Sequence, residues 1–242
     1  MVLHRDLCVL WKPAGWTVLV SEATNAPAIE DWTARRFGAE IPIARDRGAS
    51  YGLLHRLDRQ TSGLLLCARS YSGYHLAHLQ FASRRTRKEY VLFCHDWLAP
   101  EPRSFEAPLL QVSINSRIKR SIESPRGRSA LTELLVAYPL LGPAGECLSL
   151  VEVQLHSGRM HQIRAHMSTA GHPLLGDVDY GGTRLAWCPR IALHSKRLEL
   201  DIGGIGPLVV RSGLPDDLMH ALQQTLSVSG TSRALAASWL NI

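Results

Sequence analysis

The apolar residues of this chain come in runs of strand length. Leu64 to Ala68, introduced by Gly63, is continuous and suits a strand buried on both faces, whereas Val151, Val153 and Leu155 alternate with Glu152 and Gln154, as in a strand with one wet face. Leu7 to Trp11, closed by the turn signal Lys12-Pro13-Ala14-Gly15, reads as another strand, as do KEYVLFCH and residues 130–139, 147–155, 190–201 and 207–211. Helical spacing appears at 28–37, at 71–83, where Tyr74, Ala77 and Phe81 share a face, and at 159–170. The last has the stripe Met160, Ile163, Met167 and Ala170, and is stopped by Gly171 and Pro173. A further helix opens at Pro215-Asp216-Asp217, acidic in its first turn as the helix dipole prefers. Residues 38–52 read as a loop, and the polar, basic stretch 113–129 as an exposed loop or hairpin tip. Strands outnumber helices and short turns join most of them, so an α+β fold is expected, a mixed, largely antiparallel β-sheet with flanking helices and loops. No run approaches the roughly 20 apolar residues of a membrane-spanning helix.

With 242 residues, 45% hydrophobic and 20% charged, the chain has an ordinary globular composition, enough for one large domain or two small ones. Collagen-like, disordered and mini-protein classes are excluded. The five cysteines are odd in number and none forms a CxxC pair, which excludes metal ribbons and redox motifs and argues against a disulfide framework. His4, Arg5, Asp6 and Lys12 interrupt the apolar start, so no signal peptide is read there and a cytoplasmic location is expected. Lys+Arg 27 against Asp+Glu 21 leaves a net charge of +6, which by itself favours nucleic acid only weakly. Its distribution says more. Arg84, Arg85, Arg87 and Lys88 form one basic segment, and Arg117, Lys119, Arg120, Arg126 and Arg128 a second; each alone also suits a solvated face.

Several chemistries drop out. His4-Arg5-Asp6-Leu7 imitates a kinase catalytic loop, but Trp11 stands where that loop needs Asn and no Gly-rich loop precedes it. His161 and His166 are five apart rather than at HExxH spacing, and His75 with His78 has no acidic partner, so no metal site is expected. GxxxxGK[ST], GxGxxG and GxSxG are absent. Asp58 lies between Arg56 and Arg59, just before Thr61-Ser62-Gly63, and is either a turn cap on the Thr61 or Ser62 amide or a working acid. GRMHQIRAH places Arg159, His161 and Arg164 at the start of a helix whose core, on the stripe above, needs neither arginine; their alternative reading is surface arginine.

HRLDRQTSG, KEY and SGRMHQIRAHMSTAGHPLLGD, in that order and spacing, resemble the RluA-type family of RNA pseudouridine synthases. The resemblance extends to KPAGW near the start and IALHSKRLEL near the end, covering residues 1 to about 212. It implies a pseudouridine synthase catalytic domain over 1–212, after which a helical tail is read at 213–242. Many of the family carry an S4-type RNA-binding module ahead of that domain, and here no separate one is expected, since the sequence opens directly on the catalytic motifs. The resemblance also implies that Asp58 acts at the ribose of the target uridine, that Arg164 ion-pairs with that aspartate, and that Tyr90 stacks on the base and is the candidate to take the C5 proton. Arg56 matches the arginine that enters the stack when the uridine is flipped out. The RNA itself would be gripped by Arg56, Arg59, Arg84, Arg85, Arg87, Lys88, Arg117, Lys119, Arg120, Arg159 and His161, with Arg84 to Lys88 and the 113–129 loop flanking the cleft. SGR and HSKRL replace the commoner TGR and HAWRL, and leave the catalytic side chains in place.

These roles agree with the chemistry. Isomerisation breaks the C1′–N1 bond, turns the uracil and makes a C1′–C5 bond without net redox change, so no cofactor is expected. An ionised carboxylate serves as nucleophile at C1′ or as base at C2′, and a nearby guanidinium favours its charged form. An aromatic floor retains the detached base. Two other readings stand beside this one. A non-catalytic RNA binder on the same fold would need none of the trio Asp58, Tyr90 and Arg164, and a hydrolase would want a metal cluster, a second carboxylate or a histidine pair. The expected partner is a folded ribosomal or transfer RNA, bound by a monomer.

Overall fold

The computed structural model describes residues 2–20, 24–99, 104–114, 118–201 and 207–228. In chain order the elements are β1 (Val2–Leu3), β2 (Leu7–Lys12), α1 (Ile29–Phe37), β3 (Ser62–Ala68), α2 (Tyr71–Ala82), β4 (Arg87–His95), β5 (Ser104–Phe105), β6 (Leu109–Ile114), β7 (Ile118–Glu123), β8 (Thr132–Leu141), β9 (Cys147–Leu155), α3 (Gln162–Thr169), β10 (Leu193–Asp201), β11 (Pro207–Arg211), α4 (Asp216–Gln223) and β12 (Leu226–Ser227). Three short 3₁₀ turns, Pro42–Arg45, Ser50–Gly52 and Val178–Tyr180, punctuate the loops. The α+β expectation holds. Every strand pairing with a described register is antiparallel.

The chain divides into two compact units, Met1–Lys88 with Ser195–Ser212, and Glu89–His194 with Gly213–Ile242. In the first, β1, β2, β3, the greater part of β10 and β11 are neighbours in that order. All seven residues of β3 are buried, as its uninterrupted apolar run requires. Leu7, Val9, Leu64, Leu66, Leu198 and Leu200 share one cluster with Ala77, and Tyr74 and Phe81 lie against it, so the predicted face of α2 covers the sheet. Gly63 starts β3 at φ +116°, and a Cβ there would come within 2.2 Å of the Ser195 carbonyl oxygen, so no side chain fits where the two strands meet.

In the second unit β4, β9, β8 and β12 follow one another, with β5 on β8 and with β6 and β7 forming a separate hairpin. A register shift between Leu134 and Val136 marks a bulge in β8. Val91 and Phe93 of β4, Leu148 and Leu150 of β9 and Leu214, Leu218, Ala221 and Leu222 in and before α4 form one hydrophobic cluster. Arg190 fastens the start of α4 through two bonds to Asp217, at 2.6 and 3.0 Å. Residues 213–228 therefore fold with this unit, while the rest of the expected tail, 229–242, lies outside the described residues. No helix among the described residues is long and apolar enough to cross a membrane.

Candidate active site

The residues singled out in the sequence fall into two groups, one in each unit. In the first, Asp58 sits in the loop that leads into β3 and is half-buried, between the exposed Arg56 and Arg59 and beside the buried Leu57. The loop is braced by the backbone. Asp58 closes its turn through its carbonyl, which accepts from the Thr61 amide at 3.0 Å. Behind it, Lys12 is fully buried, and its ammonium donates to the carbonyls of Pro13, Trp16 and Arg59 at 2.9, 2.8 and 3.2 Å. The Gly15 amide donates to the same Arg59 carbonyl at 2.8 Å. Three donors on one nitrogen answer three carbonyls, so the KPAGW segment acts as a clamp on the loop that bears the acid. His55 closes the other side. Its Nε2 accepts from the Leu66 amide at 3.0 Å, which requires a neutral ring, and burial together with nearby Lys88 pushes its pKa down to about 3.

The first basic segment divides by environment. Arg84 and Arg85 are exposed, Arg84 at a positive φ of 56°, while Arg87 and Lys88 are half-buried. The Lys88 ammonium lies 5.6 Å from the centre of the Phe81 ring, and burial lowers its pKa to about 8.

In the second unit Tyr90 lies on β4 opposite Val153 and is 5% exposed. Arg164 lies on α3, which begins at Gln162 rather than at 159 and differs in character from the predicted amphipathic helix. Ile163 and Met167 are buried as expected, but Met160 is half-buried and Ala170 exposed, whereas Gln162, Arg164 and His166 are all buried. Apolar periodicity misses this face because its polar groups are paired instead of wet. The Gln162 side chain accepts from the Arg159 amide and donates to the Leu131 carbonyl, both at 3.0 Å, and His166 bridges the Thr132 hydroxyl and the Ala107 carbonyl. Arg164, expected to be dispensable for packing, is 4% exposed and belongs to the core.

Its guanidinium is enclosed. Nε and Nη2 donate to the two oxygens of the fully buried Asp177 at 2.6 and 2.8 Å, in the planar fork geometry that arginine alone supplies. Asp179 lies 3.6 Å away, and the Tyr180 ring centre 4.7 Å from the guanidinium carbon. The Tyr180 hydroxyl donates to the Ser121 carbonyl at 3.1 Å and receives the Ser121 amide at 2.7 Å, and His161 Nδ1 stands 3.1 Å from the same oxygen. His161 holds a left-handed conformation, φ 53°, at the entrance to α3. Arg159 donates to the Ser129 carbonyl at 3.0 Å. On the hairpin, Lys119 is exposed, Arg120 is half-buried and 3.4 Å from Asp179, and Arg117 lies outside the described residues.

The sequence reading missed Lys12, Asp177, Asp179 and Tyr180. Asp177 ends the motif HPLLGD and was visible there. Its role was not, because nothing in a linear pattern says that an acid thirteen positions on will meet an arginine. No group of three or more His, Cys, Asp or Glu side chains among the described residues is arranged to hold a metal ion.

Comparison with known proteins matches most of the chain. The family model for RNA pseudouridylate synthase matches residues 6–169. The chain is 32% identical to the tRNA pseudouridine synthase C of Salmonella typhimurium, over 92% of this chain and 88% of that protein. It is 30% identical to the dual-specificity RNA pseudouridine synthase RluA of Yersinia pestis, over 82% of this chain and 90% of that protein. A match of 37% to the ribosomal large subunit pseudouridine synthase D of Borreliella burgdorferi spans only 45% of that protein. The fold is that of the human RNA pseudouridylate synthase domain containing 4, with a TM-score of 0.69 at 20% identity over 92% of this chain and 90% of that one. With the family's pattern spread across both units, the chain belongs to the RNA pseudouridylate synthases of the RluA type.

Proposed function

We propose that this isomerase converts uridine to pseudouridine in a folded transfer or ribosomal RNA, acting as a monomer in the cytoplasm. The near full-length correspondence with a tRNA pseudouridine synthase carries the reading and puts transfer RNA first. Asp58 is the carboxylate that acts at the ribose, Arg164 the guanidinium that works with it, and Tyr90 the aromatic surface against which the freed uracil turns. The bond between C1′ and N1 breaks, the base rotates, C1′ joins C5, the C5 proton leaves and N1 takes up a proton. Atoms balance without a cofactor. A buried aromatic on a strand suits retention of the base, because a rigid floor limits escape and preserves orientation.

Arg56, exposed beside Asp58, has the length, planarity and charge to fill the gap left by a flipped nucleotide. Arg59, Arg84, Arg85, Arg87, Lys88, Arg117, Lys119, Arg120, Arg159 and His161 are assigned to the RNA. Of these, the exposed Arg59, Arg84, Arg85 and Lys119 are the strongest phosphate contacts, since an exposed cation can reach a phosphate and release the counterions condensed on the RNA.

The test is tritium release from RNA labelled at uridine C5, with transfer and ribosomal RNA from a strain lacking the protein assayed separately. Wild-type protein releases tritium and Asp58→Ala releases none. Equal release by both proteins removes Asp58 from the chemistry, and binding of RNA without release by either leaves the non-catalytic reading.

A further inference from the structure

The hairpin β6–β7 is tied to Arg164 by a short bridge of side chains. Tyr180 forms one half. Its hydroxyl exchanges two hydrogen bonds with the backbone of Ser121 on β7, at 2.7 and 3.1 Å, while its ring lies against the Arg164 guanidinium. Ser121 is 1% exposed, and its own hydroxyl is bonded to the Met160 carbonyl at the approach to α3. The Ser168 hydroxyl of α3 donates to the Tyr180 carbonyl at 2.6 Å, so the tyrosine is held at its backbone by one element and at its ring tip by another. Asp179 forms the other half. One carboxylate oxygen faces Arg120 on β7 at 3.4 Å and the other faces Arg164 at 3.6 Å, so two cations share one anion.

We propose that Tyr180 and Asp179 are positioning residues that couple the β6–β7 hairpin to Arg164, so that an RNA phosphate engaged by the hairpin is felt at the guanidinium. A phosphate that takes Arg120 competes with Asp179, and the carboxylate then turns its charge toward Arg164. A shift of β7 carries Ser121, and through its two bonds the Tyr180 ring, across the face of the same group. Asp177 supplies the fixed reference, since its two bonds anchor one edge of the guanidinium and leave a small tilt about that edge to its other neighbours. RNA bound at the hairpin thus raises turnover beyond what tighter binding explains. The inference rests on the reading of Arg164 as part of the reaction.

The experiment compares Tyr180→Phe, Asp179→Asn and Arg120→Ala, singly and as the pairs with Arg120→Ala, by kcat and KM for tritium release, by thermal melting, and by the NMR signal of the Arg164 Nε–H, assigned by its loss in Arg164→Lys. Tyr180→Phe keeps the ring and removes the two bonds to Ser121. It is expected to lower kcat about tenfold or more while KM changes by less than about twofold, and to melt a few degrees below the wild type. In RNA-free protein Arg120→Ala is expected to shift the Arg164 signal, and in the Asp179→Asn background to shift it no further. Fully additive losses of kcat, or an Arg164 signal indifferent to Arg120, overturn the coupling. The NMR result needs no activity, so a failure there with Asp58-dependent release intact breaks this inference alone, and a loss of release from the wild type breaks the functional reading instead. Asp179 has a side chain 53% exposed, so its variant folds even if Tyr180→Phe does not, and it decides the matter unaided.

Discussion

Around Asp58 backbone carbonyls and amides hold the structure, with a buried lysine and a neutral histidine closing the gaps, whereas around Arg164 the holding is done by side chains, a carboxylate in the plane of the guanidinium and an aromatic ring over it. The difference follows from what each group needs. A half-buried aspartate on a loop is placed by its backbone, and here Lys12 and the Gly15 amide fix that loop at the Arg59 carbonyl. A buried guanidinium carries several donors and a charge, and without a facing carboxylate its desolvation would be prohibitive. One region is thus tolerant at its surface and the other is sensitive throughout.

The sharpest way to break that comparison is at Asp177. Removing one partner of a fully buried ion pair leaves the other charge stranded, so Asp177→Ala should cost about 3–5 kcal/mol in urea unfolding. Substituting exposed Arg59 should stay within about 0.5 kcal/mol. Equal losses at the two positions would show that the two regions are not held differently.

A second contrast is in pH. His55 in the first unit and His194 in the second both have pKa values pushed down to about 3 by burial, with Lys88 adding to the effect on the former and Arg190 on the latter. An unfolded histidine titrates near 6.5, so between that value and about 3 the unfolded chain binds the extra proton. Stability contributed by the neutral rings is present above pH 6.5 and lost as pH falls toward 3, by at most about 1.4 kcal/mol per pH unit for each ring. Urea unfolding at pH 7, 6 and 5 should show this decline, and His55→Gln should flatten it. An unchanged slope would place the His55 proton elsewhere.

The smallest expected effect is on the hairpin. Replacing Lys119 and Arg120 with Ala should reduce the dependence of log Kd for RNA on log salt by roughly 0.7–0.9 for each phosphate no longer neutralised. Because Arg120 already faces Asp179 while Lys119 is exposed, the Lys119 change should account for most of it. A slope identical to wild type would remove the hairpin from the RNA interface.

Most of the elements were legible in the sequence because their periodicity reports burial directly. The apolar run at β3, the alternation in β9 and the Tyr74, Ala77 and Phe81 face of α2 all appear where predicted. The helix α3 was one exception, and Ile118–Glu123, read as part of an exposed loop or hairpin tip, is another, since it forms strand β7 with Ser121 buried. The buried residues of α3 include Gln162, Arg164 and His166, and a polar core side chain looks like a surface one until its partners are known.

The candidate site divides in the same way. The family resemblance carried by the motifs is what puts Asp58, Tyr90 and Arg164 forward as the candidate trio. What holds them was decided by the fold. Lys12 reaches Arg59 across 47 positions, Tyr180 reaches Ser121 across 59, and Asp177 meets Arg164 across 13. A sequence states which side chains are available and where apolar surface must be hidden; which donor meets which acceptor depends on strand register and loop path, and those exist only once the chain has folded.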